Sequence, residues 1–235
     1  MNQLRTTTRR SFLASFATWG SGALLASNPL LAQAAAAPKP EIGPAEDLMR
    51  EHGGLNRILL IYEEGLRRIQ DKSEFDPDVL KRSATLIRTF IEDYHEKLEE
   101  EFLFPHMRKL GKLVDLVNTL EKQHKAGRPL TMTIEKLSVP AALKNDADKT
   151  RLSKAMSDFI RMYRPHESRE DTILFPAFHQ SLSEKAYDDL GEKFEDREHK
   201  LFGKEGFDGV IAQIETLEKA FGIYDLAKFT PPVSG

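Results

Sequence analysis

Apolar positions recur at three- and four-residue spacing through most of this chain, a periodicity that predicts helices rather than strands. From Glu46 a first stripe carries Leu48, Met49, Leu55, Ile58, Leu59, Tyr62 and Leu66, with His52 on the same face. The polar stretch Lys72 to Phe75 ends it, and Asp76-Pro77 reads as an N-cap with proline at the first helical position. The second helix runs to about Arg108, its face marked by Leu80, Ala84, Ile87, Phe90, Ile91, Tyr94, Leu98 and Phe102. A third starts near Val114 and carries His124 behind Leu116, Val117 and Leu120; Gly127 and Pro129 predict an interruption or kink before Ile134 and Leu137. Val139-Pro140 to Asp148 reads as a loop. A fourth helix follows through Leu152, Met156, Phe159, Ile160 and Tyr163 to His166 and Glu170, with a kink expected at Pro165. Ser183-Glu184 opens a further amphipathic helix to about Phe202, and Gly203 and Gly206 set off a last short one around Val210 to Phe221.

Two of these helices end in the same way. His95, Glu99 and Leu103-Phe104-Pro105 recur as His166, Glu170 and Leu174-Phe175-Pro176, each 71 positions after its counterpart. The helix before each pair carries one histidine, His52 and His124, which are 72 positions apart. On a helix, residues i and i+4 lie one above the other, so each His/Glu pair points one way. The expected architecture is all-α: two helical hairpins related by a pseudo-twofold, closing a four-helix bundle around four histidines and two glutamates, with an additional C-terminal helical segment. Six such groups on inward stripes are costly to bury unless they are paired or hold a metal.

Composition narrows the chemistry. Cysteine is absent from the 235 residues, which excludes disulfides, thiolate catalysis and thiolate-bound metal. Imidazole with carboxylate suits iron, manganese or zinc. A formal net charge of −3 gives no basic patch for nucleic acid. Residues 1–37 differ in kind: Thr8-Arg9-Arg10-Ser11-Phe12-Leu13 is a twin-arginine pattern, followed by a weakly apolar run and the A-x-A sites of Ala32-Gln33-Ala34 through Ala37. Gly20, Gly22, Asn28 and Pro29 interrupt the apolar run, which falls short of a membrane span. The reading is a cleaved leader for the twin-arginine (Tat) export machinery, no membrane span after cleavage, and a periplasmic or otherwise exported mature chain. Losing the leader's three arginines takes the net charge from −3 to about −6. The expected divisions are leader 1–37, linker 38–45, helical domain 46–222 and tail 223–235.

The order H…H-x-x-x-E…L-F-P, given twice, resembles the hemerythrin-like, or HHE cation-binding, domains, and the resemblance covers about residues 45–222, including Phe194-Glu195 and Leu201-Phe202-Gly203. It implies an up-and-down four-helix bundle with two non-haem iron ions, oxo- or hydroxo-bridged, manganese or zinc not being excluded. Carried over by position, it implies His52, His95, His124 and His166 as terminal ligands and Glu99 and Glu170 as bridging carboxylates. The oxygen-carrying members have a fifth histidine four residues after the third-helix one. Here that position is Arg128, which cannot ligate a cation. Four protein donors per metal leave room for solvent, O2 or peroxide.

Other candidates are weaker. Glu96 and Glu167 lie about 100° around the helix from the preceding histidine, which suits solvent or an outer-sphere role. His106, His179 and His199 read as surface, and Tyr94 and Tyr163 as core near the ligand positions. Phe102, Phe104 and Phe175 are expected to wall the site. The readings that follow are O2 or small-oxidant binding, a peroxide- or O2-consuming enzyme, metal storage without turnover, and a metal-free bundle.

Overall fold

Charge and capping rules account for several of the helix ends. The computed structural model describes residues 42–232, so the expected leader, the first half of the linker and the last three residues of the tail lie outside the described residues. Helix α1 spans Pro44–Gln70, with proline in its first turn, Glu46 and Asp47 at the positive end of the helix dipole and Arg67 and Arg68 at the negative end. Helix α2 runs over 78–109. Its first free amide, on Asp78, donates to Asp76 Oδ1 at 2.9 Å, so the Asp76 cap is found with the helix starting one residue later than expected. Helix α3 spans Val114–Leu137, and α4 runs over 146–179, capped by Asn145 Oδ1, which accepts the Asp148 amide. The expected loop before α4 contains one helical turn, Pro140–Leu143. Helices α5 (Glu184–Phe202) and α6 (Gly206–Phe221) follow, and among the described residues there is no strand.

Helices α1 to α4 close a ring in which α1 packs on α2 and α4, and α3 on α2 and α4. Short connections make neighbours antiparallel, the up-and-down bundle. The predicted stripes form its interior, including Leu48, Leu55, Leu59, Tyr62, Leu80, Ile87, Tyr94, Leu120, Leu152, Phe159 and Tyr163. Helix α6 lies on α1 and α2, burying Phe207, Val210, Ile214, Leu217 and Phe221. Helix α5 lies on α1 and α6, its Arg197 forming two hydrogen bonds with Glu101 of α2 at 2.7 and 3.0 Å.

Two of the long helices are not uniformly α. In α2, Ile87–His95 and Glu99–Leu103 wind as π-helix, and in α4 so does Glu170–Leu174. The Phe104 amide bonds the Glu99 carbonyl, and the Phe175 amide bonds the Glu170 carbonyl, each five residues back. Both widened turns sit directly before a proline, Pro105 or Pro176, which has no amide to donate and whose ring would clash with the carbonyl four residues back. Opening the turn by one residue relieves that conflict. It also explains a strict four-residue run of buried side chains: Ile87, Ile91, His95, Glu99, Leu103 and Met107. In a regular α-helix five such steps would drift by about 200° and carry the last residue to solvent.

The expected break at Pro129 does not occur; α3 continues through it. Pro129 and Lys125, whose carbonyl loses its amide partner, are both on the exposed face, where water replaces the bond. Helix α4 likewise continues through Pro165, and its widening comes five residues later, at Glu170. Gly127 leaves room for Tyr163 of α4 against α3: a β-carbon there would overlap Tyr163 Oη and stand 2.9 Å from the Tyr163 ring. In the turn before α3, Gly111 takes a left-handed φ of 65°, which glycine adopts without strain. Gly127→Ala is expected to destabilise the fold by about 1–3 kcal/mol by forcing Tyr163 from its rotamer. A urea unfolding midpoint equal to that of the parent chain would overturn this close-packing account.

Candidate metal centre

The six residues singled out by the repeat all meet inside the bundle, although they come from four helices. His52 is on α1, His95 and Glu99 on α2, His124 on α3, and His166 and Glu170 on α4, none more than 3 % exposed. Each glutamate opens a π-turn one helical turn after its histidine, so the proline-driven widening acts where the carboxylate must turn inward.

Their geometry divides the histidines into two pairs. His124 and His166 have Nε2 atoms 3.3 Å apart, and the His52 and His95 ring centroids are 4.7 Å apart. Each glutamate spans both pairs. Glu99 Oε2 lies 3.8 Å from His95 Nε2 and 3.4 Å from His124 Nε2. Glu170 Oε2 lies 3.4 Å from His52 Nε2 and 3.0 Å from His166 Nε2. Ligand atoms of Glu99, His124, His166 and Glu170 all lie within 4.8 Å of one another, as do those of His52, His95 and Glu99. The arrangement offers two neighbouring cation positions, each with two imidazoles, and two carboxylates reaching both.

The outward nitrogen of every ring is held. His52 Nδ1 donates to Asp171 Oδ1 at 2.7 Å, and His95 Nδ1 to Glu51 Oε2 at 2.6 Å. His124 Nδ1 donates to Glu100 Oε1 at 3.2 Å, and His166 Nδ1 to Gln123 Oε1 at 2.9 Å. Such bonds fix the tautomer that leaves Nε2 free to face inward. These four partners were not singled out from the sequence, yet they obey its repeat: Glu51 and Gln123 each precede a histidine, and Glu100 and Asp171 each follow a glutamate. The apolar wall is also paired. Phe175 stacks on His52 and Phe104 on His124, with centroids 5.5 and 5.4 Å apart. Phe102, expected in that wall, packs instead against Phe194 of α5.

Without cations the cluster is electrostatically crowded. Both carboxylate oxygens of Glu99 and of Glu170 are buried with no hydrogen-bond partner. Burial, and then the charge of Glu170, push Glu99 up to about 8. Burial also acts to raise Glu170, but the charges of His166 and His52 hold it well below the usual range. Burial pulls His52 and His124 down, and their carboxylate partners more than reverse this, so both are raised. His95 is held low, by burial and then by the charge of His52. Protons thus occupy places that cations would fill, and the donor set, imidazole nitrogen with bridging carboxylate, fits borderline divalent metals such as iron, manganese or zinc.

The remaining candidates serve elsewhere. Glu96 and Glu167 are buried, not solvated. Glu96 accepts from Tyr163 Oη at 2.7 Å and from Arg128 Nη2 at 2.9 Å, and Arg128 also donates to Glu100 at 2.7 Å. Glu167 accepts from Asn56, and burial first raises it to about 8. Tyr94 donates to the Phe194 carbonyl. His106 is half-buried with Nε2 2.7 Å from Ser181 Oγ, whereas His179, stacked on Tyr187, and His199 are exposed as expected.

Comparison with known proteins agrees with this geometry. Residues 43–178, which carry all six side chains, match the family described as the Hemerythrin HHE cation binding domain; the match ends before α5 and α6. The chain is 47% identical over 186 residues to the uncharacterized proteins Mb2018 of Mycobacterium bovis and Rv1995 of Mycobacterium tuberculosis, covering 79% of this chain and 73% of each relative. No solved structure gives a significant match. With the repeated His/Glu motif, the helical bundle and more than half of the chain matched, this protein belongs to the hemerythrin HHE cation-binding domain family.

Proposed function

We propose that His52, His95, Glu99, His124, His166 and Glu170 hold two non-haem iron ions and that the centre takes up O2 or a related small oxidant. The observation that carries this is the reach of Glu99 and Glu170 across both histidine pairs. Bound as Fe(II), the two ions would supply the electrons for uptake or reduction of such a ligand. The protein's own part is positioning and exclusion of water. The four Nδ1 bonds hold the rings, and Phe104 and Phe175 cover His124 and His52. A cavity of about 620 Å³ lined by Met49, Phe175, His179 and Tyr187 approaches the cluster, with Phe175 between it and His52. Glu167, raised to about 8, keeps a proton at neutral pH beside His166 in sequence.

A second reading, peroxide disproportionation to O2 and water, is favoured by Arg128, which occupies the place of a further histidine and is bound to Glu96 and Glu100. Iron-loaded chain is expected to contain about two irons, with near-ultraviolet bands that bleach on anaerobic reduction. Glu99→Ala is expected to hold at most one iron and to lose the bands. One zinc, or no metal after loading under iron, would remove the redox reading. Peroxide consumption no faster than that of free iron would remove the disproportionation reading.

Acidity supplies a separate check. Between the ordinary carboxylate range and about 8, an unfolded chain has released the proton that folded, metal-free Glu99 keeps, so stability falls as pH rises. His52 and His124, both raised, act in the same direction above 6.5; His95, lowered, opposes them. Cations that replace these protons remove the penalty. The rise in Tm on saturating metal-free chain with Zn2+ is therefore expected to grow from about pH 5 to about pH 8. A rise that shrinks over that window would contradict the proton-for-metal exchange.

Export by the twin-arginine route is part of the proposal and rests on Thr8-Arg9-Arg10-Ser11-Phe12-Leu13. Expressed with its leader in a host that has this route, the chain is expected in the periplasm with its first residue near Pro38. Retention in the cytoplasm at full length would reject it. Among the described residues no helix is long and apolar enough to cross a membrane.

A further inference from the structure

The two halves of the repeat allow a comparison within one molecule. Gln123 and Glu51 occupy equivalent places, each accepting the Nδ1 proton of a central histidine, His166 or His95. A neutral amide is enough to hold the ring in one half, so the charge on Glu51 is not needed for that task. Glu51 uses only Oε2 for His95; its Oε1 is buried and has no hydrogen-bond partner.

Two more carboxylates meet it there. Asp47, one turn earlier on α1, and Glu198, on α5, each bring an oxygen such that these and one from Glu51 lie within 4.8 Å of one another. Three oxygens bound to a common divalent cation at 2.0–2.6 Å are separated by no more than about 5 Å. Each of the flanking groups has one oxygen engaged. Asp47 Oδ1 accepts from Arg50 Nη1 at 3.0 Å, and Glu198 Oε1 accepts the Phe207 amide at 2.9 Å. Three carboxylates against one guanidinium leave about two negative charges, which one dication balances. The second half has no such group, the counterpart of Asp47 being Thr119.

We propose that Asp47, Glu51 and Glu198 form a third cation site, distinct from the six-residue centre, for a hard divalent ion of the Mn2+, Fe2+, Mg2+ or Ca2+ class that takes oxygen donors. The ion joins α5 to α1 and shares Glu51 with His95. The site stands whether or not the central cluster holds metal. Full-length or leader-cleaved chain, stripped of metal, crystallised and soaked in Mn2+, is expected to give an anomalous-scattering peak between these three carboxylates. In Asp47→Asn/Glu198→Gln that peak is expected to vanish, any central peaks to remain, and Mn2+ binding counted by electron paramagnetic resonance in solution to fall by one equivalent per chain. A peak at the three carboxylates with an empty centre would support the third site and reject the two-iron reading. Central peaks alone in the parent chain, or an undiminished third peak in the double variant, would overturn the proposal.

Discussion

Burying four imidazoles and two carboxylates at one point is the constraint to which the rest of the bundle answers. In a dry interior an unpaired carboxylate is costly, and two of them facing each other more so. Glu99 and Glu170 lie there with no donor on any of their four oxygens. Around them the outward ring nitrogens are bound, two phenylalanines stack on two of the histidines, and Glu96 is itself held by Tyr163 and Arg128. A cation-binding family is the setting in which such a concentration of lone pairs is stabilising.

The backbone is shaped by the same demand. A proline set into a helix ordinarily breaks it; here Pro105 and Pro176 each follow a widened turn that begins at the glutamate concerned. The approach of α3 to α4 at Gly127 brings Tyr163 to Glu96 and so joins helix packing to the polar layer beside His124. Local backbone choices and site geometry are therefore not separable in this fold.

Much of this could be read from the residues alone. Period and capping located α1, α2 and α5 to within about two residues, whereas α4 runs nine residues past the expected end at Glu170 and α6 starts four residues before Val210. The 71-residue offset picked out six side chains that four separate helices bring together. Three things were hidden for physical reasons. The π-turns left a trace, the strict four-residue run from Ile87 to Met107, but an α-helical template absorbs such a run as ordinary drift. Pro129 looked like a break because sequence does not show that the carbonyl it frees faces water. Glu51, Gln123, Glu100 and Asp171 look like surface charges and amides until it is known which helix neighbours which, since each holds a histidine on another helix.

Helices α5 and α6 clad only one side of the repeat. They bury apolar surface chiefly against α1 and α2, with Arg57 to Glu218, Arg68 to the Phe221 carbonyl and Arg197 to Glu101 as polar ties, whereas no further helix among the described residues packs comparably on the outer faces of α3 and α4. His52 and His95 sit in the clad half and His124 and His166 in the other. Two halves that look interchangeable in the motif are thus set in unlike surroundings, His52 and His95 beneath two further helices and His124 and His166 beneath none among the described residues.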